Sequence, residues 1–569
     1  MNQILLTFLS LALAAACLAQ NRDADFGKLA DRFFDELIFK YDPVQGTSAG
    51  FHQYDPLLPS ESRAEIESEI AGLKKWRAEV LGFDARGLSP WIAADRELVL
   101  SQIQGQLLSL ETIRPWEKNP DTYSSAATNA IFVIMARNYA PADQRLRSVI
   151  ARERLIPRVF TSARENLKNP PRIYTEIALE QMPGLVSFFQ NDVPQAFQKV
   201  TDTQLKADFQ KTNAEVITAL NAYGSWLKND VLPRSQGDFR IGADAYQKKL
   251  LYDEMVDIPL SRLLEIGFAD LRRNQAEFRR VAAGLDSNRT PQQILEELEH
   301  NHPAGDKLLQ SFRSVLGGLR EFIGSRGIVT IPSPVLPILE ESPPFMRALT
   351  TASMDTPGPY EKDKEAFFNV TLPDPRWKPK QVEEYLDGFS RGTIISTATH
   401  EAYPGHYTQF LWLQSAPTKV RKLLSANSNG EGWAHYSEQM MLDEGYGNND
   451  PKLRLGQLQD ALLRDARYIA GIEMHTGKMT PEQAADFFVK EGYQPRPIAE
   501  KEAKRGTSDP TYLVYTLGKL EILKLRDDYR RMKGTQFSLH EFHDAFMKQG
   551  TPPIKIVRRA LLGNDSPVL

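Results

Sequence analysis

Apolar residues recur at three- and four-residue spacing over 61–80, 93–111, 142–167, 203–227, 260–283 and 307–323, with charged residues between them. That period marks amphipathic helices. Ser60 before a Glu-rich first turn, Asp202, and Thr480-Pro481 supply start signals. Between 327 and 379 the pattern changes. Pro332, Pro334, Pro337, Pro343, Pro344, Pro357, Pro359, Pro373, Pro375 and Pro379 crowd this stretch. Each proline removes a backbone donor and clashes one turn back, so no continuous helix crosses it. Within it, 328–331 and 366–372 read as short strands. Helical spacing resumes over 379–389, 393–414, 430–444, 453–476, 481–490 and 510–531. The predicted fold is mainly α, large and helical, with a small β-sheet. No fixed-period repeat is present. A helical N-terminal region, 22–235, is expected to pack on a second region, 236–569, as one continuous unit, because no clean linker divides them.

Residues 4–19 form an apolar run that ends in small residues. It is too short for a confident spanning helix, and its place at the extreme N-terminus predicts an export signal over 1–19. Two processing outcomes compete. Cleavage after Ala19 leaves a cysteine-free chain, periplasmic or secreted. Cleavage before Cys17 leaves that residue as a lipid-bearing anchor. Ordinary secretion is the expectation. No later segment is apolar enough for a transmembrane domain. Cys17 is the only cysteine among 569 residues, which excludes a disulfide framework and a thiolate metal site. The formal net charge of −4 implies no broad basic surface and no nucleic-acid partner. The basic clusters at 501–505 and 524–531 contain interspersed acids and read as solvated helix faces.

The chemistry concentrates in Thr399-His400-Glu401-Ala402-Tyr403-Pro404-Gly405-His406 and Glu431-Gly432-Trp433-Ala434-His435-Tyr436-Ser437-Glu438. Two imidazoles and one carboxylate form a three-ligand set for a catalytic Zn2+ that keeps one position open. We expect one zinc per chain, held by His400, His406 and Glu431. Other divalent ions suit the same donors. Glu401 adjoins a ligand without being needed as one, which suits a general base. The histidines are six residues apart, which on an ideal helix places their rings roughly 120° apart. Pro404-Gly405 must therefore kink the helix and turn His406 back toward the ion. Glu431 and Glu438 share a face, as does His435. Glu431 is the expected ligand. Glu438, Asp443 and Glu444 are candidates for the outer layer or for solvated charges, and His435 for an outer-layer group or a fourth ligand.

Such a set points to a zinc hydrolase, a peptidase before other kinds, and a peptidase also needs a donor for the oxyanion formed when water attacks a carbonyl. Tyr515 is the expected donor, with Lys519 and His475 as lesser options; Tyr512 and Arg467 are nearby alternatives. Asn369-Val370, in a presumed edge strand, is a candidate for holding substrate backbone. These residues resemble the bacterial family catalogued as domain of unknown function 885, both in His400-Glu401…His406 with Glu431-Gly432-Trp433-Ala434 and in the Pro510…Tyr515…Gly518-Lys519…Arg526 run. The resemblance implies a largely helical, zinc-dependent peptidase of gluzincin type; the small sheet, just upstream of the metal motif, is expected near the cleft on its own position in the chain. The string Asn429-Gly430-Glu431-Gly432-Trp433-Ala434 is also similar to the third-ligand segment of aminopeptidase N-like enzymes, with Gly430 as one inserted residue. The expected function is an exported zinc metallopeptidase acting on a peptide substrate. A metal-dependent hydrolase of a non-peptide amide or ester, and a non-catalytic helical binding protein, are the rivals.

Overall fold

The computed structural model describes residues 21–343, 347, 350–362 and 364–569. The expected signal sequence and Cys17 lie outside the described residues. Helices dominate, and the apolar periodicity places most of them: Arg63–Gly82, Thr203–Trp226, Leu260–Leu285, Leu308–Arg326, Pro451–His475 and Pro481–Lys490. Their starts follow capping chemistry, in which a side-chain oxygen takes an orphan N–H of the first turn. Asp202 accepts from the Leu205 N–H, and Thr480 forms a reciprocal pair with Gln483. The cap of the Arg63 helix is Ser62, while Ser60 donates to Glu65 instead.

The structure corrects three expected elements. The span 142–167 divides into Ala142–Glu153 and Ile156–Asn166. Pro157 lies four residues beyond Glu153, where its ring would clash with the Glu153 carbonyl of an unbroken helix. The span 393–414 divides into Arg391–Glu401 and His406–Leu413. Residues 328–331 form no strand. Ile328 and Val329 are buried in the core, and the Thr330 N–H donates to the Asp544 carboxylate rather than to a ladder.

The small sheet contains β1 (Ile338–Glu341), β2 (Ala352–Asp355) and β3 (Phe367–Val370), in the order β1-β3-β2. β1 runs parallel to β3 and β2 antiparallel to it; Glu340 and Ser353 flank Asn369. Asn369 and Val370 therefore sit in the central strand, buried and paired on both sides, not on the open edge expected of a substrate holder. The two edge strands are β1 and β2.

Two close helix contacts set the frame beneath the metal motif. The helices Asn427–Asp443 and Val514–Lys533 approach at Gly432 and Gly518. A Cβ on Gly518 would lie 1.8 Å from the Ser428 carbonyl oxygen, and one on Gly432 would lie 2.5 Å from the Gly518 Cα. Only paired glycines allow this spacing. The helices Arg391–Glu401 and Pro451–His475 meet in the same way at Gly392 and Gly456. Around the first contact, Trp433, Tyr436, Ile522, Leu525 and Phe546 fill a common apolar core. Farther out, Phe26–Leu107 share a core with Val420, Leu424 and Ile556, which ties the N-terminal helices to the rest. Among the described residues no helix is long and apolar enough to cross a membrane.

Gly518→Ala forces backbone apart rather than a flexible side chain, so it should destabilise the protein by about 3 kcal/mol. Denaturant titration checks this, and an unchanged midpoint would contradict the close-contact account.

Candidate metal centre

The first histidine stands on a helix whose ending is built into the sequence. Ser390 caps its start by accepting from the Thr393 N–H. At its end the chain leaves helical geometry after Glu401. Backbone bonds reaching back five or six residues carry it across the break: Tyr403 N–H to Ala398 O, Gly405 N–H to Thr399 O, and Thr408 N–H to Ala402 O. Gly405 lies directly against the preceding turn, where a Cβ would be 1.7 Å from the His400 carbonyl oxygen. The buried Trp433 donates its indole N–H to the Pro404 carbonyl at 2.8 Å and stacks on Phe546, holding the bend from below. The expected distortion between the histidines is thus present. Their ring centroids stand 4.8 Å apart and nearly perpendicular.

Glu431 enters from the helix Asn427–Asp443. Its Oε2 lies 3.3 Å from His400 Nε2 and 3.5 Å from His406 Nε2. The three donor atoms all lie within 4.8 Å of one another. Bonds of about 2.0–2.1 Å in a tetrahedral arrangement put neighbouring ligand atoms roughly 3.3 Å apart. The two separations from Glu431, 3.3 and 3.5 Å, match that spacing, so the donor set suits a zinc-sized cation. His406 and Glu431 are partly exposed, at 26% and 29% of their side-chain surface, which leaves one side open to solvent.

Behind this trio lies a second carboxylate. Glu438 is fully buried and accepts from His400 Nδ1 at 2.6 Å, His435 Nδ1 at 3.1 Å and Arg464 at 2.9 Å. An imidazole that donates through Nδ1 presents Nε2 as a lone pair, so Glu438 fixes His400 in the tautomer a metal needs. Burial opposes charge on Glu438, but Arg464 and the two histidines outweigh it and hold the carboxyl well below its usual range. Burial also lowers the His400 pKa, yet hydrogen bonds from its ring to Glu431 and Glu438 raise it to about 10. That cationic preference is what a metal ion would replace. His435 is buried and lowered to about 3 by desolvation and then by Lys519, so it stays neutral. It is not a member of the ligand trio; it backs Glu438.

Glu401 is not a member of the trio. Its Oε2 accepts from the Met354 backbone N–H at 3.0 Å, on the outer edge of β2. The general-base candidate thus joins the end of the His400 helix to β2. Tyr515 stacks near His400, with ring centroids 6.3 Å apart and a 23° interplanar angle. Burial and the Glu431 charge raise its pKa, so its hydroxyl remains a donor at neutral pH.

Other expected donors lie elsewhere. Lys519 has no exposed side-chain surface and sits 3.2 Å from Asp270, where burial lowers it to about 8; it cannot touch a substrate. His475 is buried between Phe239 and Tyr246 and donates to the Gly506 carbonyl. Tyr512 is buried against Gly471 and Gly506. Arg467 is held by Glu502 through two bonds beneath the Tyr515 ring. Asp443 pairs with Arg454 at the surface and Glu444 is exposed, as solvated charges. Two participants escaped the sequence reading. Arg464 is one arginine among several on its helix, and Met354 contributes a backbone group with no side-chain signature.

The family model described as "Bacterial protein of unknown function (DUF885)" matches residues 43–561, and the chain belongs to that family. Among solved structures, a "putative lipoprotein of unknown function" from Shewanella oneidensis is 28% identical, with a TM-score of 0.79 over 94% of this chain and 99% of that one. The "putative lipoprotein" from Colwellia psychrerythraea is 17% identical, with a TM-score of 0.73 over 96% and 98% of the two chains, and shares the fold. No curated protein matches the chain.

Because a cation must displace the proton that His400 otherwise keeps up to about pH 10, metal uptake by chelator-stripped protein should release about one proton near pH 8 and tighten as pH rises. Calorimetry in buffers of different ionisation enthalpy reads this directly; zero proton release would contradict it. Glu438→Gln should weaken metal binding by roughly 10–100-fold, measured by competition with a chelator.

Proposed function

We propose that this chain is an exported zinc-dependent peptidase. The observation that carries the reading is the combination of three converging donors with a carboxylate, Glu401, that adjoins them yet stays free of them. A structural ion would need no such neighbour. A divalent ion held by His400, His406 and Glu431 would supply Lewis acidity toward a water and a substrate carbonyl.

The protein's own groups would do the rest. Glu401 is placed to accept the proton of the attacking water and to return it to the leaving amine. Tyr515, kept protonated by its surroundings, is placed to donate to the developing oxyanion. The open edge of β2 can take an extended peptide as an added strand. Such a peptide would compete with Glu401 for the Met354 N–H and release the carboxylate for its work. That edge favours a peptide over a non-peptide amide or ester. The N-terminal apolar run, together with relatives described as lipoproteins, supports export, with anchorage through Cys17 as the alternative to cleavage after Ala19.

Glu401→Gln should retain bound zinc while kcat on a cleaved peptide falls about 10²–10⁴-fold. His406→Ala should lose the metal itself. Metal analysis paired with a peptide-library digest checks both, and undiminished turnover in Glu401→Gln would overturn the assigned role.

A further inference from the structure

The basic cluster at 501–505 reads from sequence as a solvated face, but the helix Arg496–Ser508 brings one of its members to the centre. Three guanidinium groups surround Tyr515. Arg464 and Arg467 lie over the ring at 5.7 and 5.2 Å, and Arg505 Nη2 is 3.5 Å from the hydroxyl. Two of these charges are met by buried acids: Arg464 by Glu438, and Arg467 by Glu502 at 2.7 and 2.8 Å. Arg505 instead pairs with Asp509, one turn on, at 3.2 Å, with 42% and 40% of the two side chains exposed. An exposed pair of this kind is weak and exchanges readily. Its guanidinium can therefore turn to a better partner, and a carboxylate bound through two parallel bonds is the strongest it can find.

We propose that Arg505 receives the free C-terminal carboxylate of a peptide substrate, so that the enzyme removes one or two residues from the C-terminal end. The inference rests on the peptidase reading above. The size of the product follows from reach. Arg505 touches the hydroxyl that faces the reacting carbonyl in that reading, and an extended residue spans at most about 3.3–3.6 Å. Only a short piece fits between cut and anchor. At the β2 side, Asp355 is engaged by Arg137, which makes it a poorer receptor for a substrate ammonium group.

The test uses the zinc-loaded full chain and one short peptide taken from the library, prepared as the free acid, as the C-terminal amide, and as the amide with glutamate in the last position. The free acid should have a KM at least tenfold below the amide. Arg505→Ala should erase that advantage through KM, Arg505→Lys should restore only part of it, and Lys501→Ala should leave it intact. Calorimetric binding to Glu401→Gln should show the same preference without turnover. Equal handling of acid and amide overturns the proposal while leaving the peptidase reading standing. A glutamate amide that matches the free acid overturns the C-terminal assignment in favour of a side-chain carboxylate. Acid-preferring binding with no cleavage by the unaltered enzyme sustains Arg505 as the receptor and sinks the peptidase reading.

Discussion

Everything in the centre depends on how tightly residue 405 lies against the turn before it. With the His400 carbonyl oxygen 1.7 Å from where a Cβ would stand, only glycine lets the chain double back over its own helix end. That approach moves His406 from the far side of a regular helix to a position perpendicular to His400, and both rings reach one Glu431 oxygen. The clamp from Trp433 to the Pro404 carbonyl links the bend to the helix that supplies Glu431. One contact thus sets the relative position of all three donors. The Gly432–Gly518 approach then places Tyr515 on the same frame.

The electrostatics follow the same economy. The helix Asn427–Asp443 carries two acids seven residues apart, about 10.5 Å along its axis. One faces solvent and the ligand position; the other is buried and shared by His400, His435 and Arg464. Burying a carboxylate is tolerable only when it is paired and hydrogen-bonded, and removing one partner of such a group is strongly destabilising. Glu438 meets that requirement three times over, so the His400 ring is oriented by a group that cannot move away. Lys519 and Asp270 form a further buried pair nearby. The layer behind the ligands is buried and charged, while Glu401 and β2 are largely half-buried and Arg505 is exposed.

Much of this was legible in the chain. Apolar spacing located the long helices because their burial is one-sided. The six-residue histidine interval with Pro404-Gly405 between forced a break, since a regular helix would splay the rings. The strands were harder. Ile338–Glu341 and Ala352–Asp355 have little strand character of their own and pair because β3 lies between them, a tertiary effect. The apolar run at 328–331 is core-filling coil, which periodicity alone cannot separate from a strand. Nothing local around Asn369 says that its strand is central rather than an edge. Lys519 shares a helix face with Tyr515 but points into the protein, as spacing gives a direction and not a depth. Arg505 and Arg464 look like any surface arginine until their neighbours are known.

X-ray absorption at the zinc edge on the purified mature protein reads the ligands of the ion themselves. One ion per chain is expected, with two imidazole nitrogens at about 2.0–2.1 Å and carboxylate oxygen in the inner shell. An inner shell without imidazole, or a protein that takes up no ion when zinc is supplied, would contradict it.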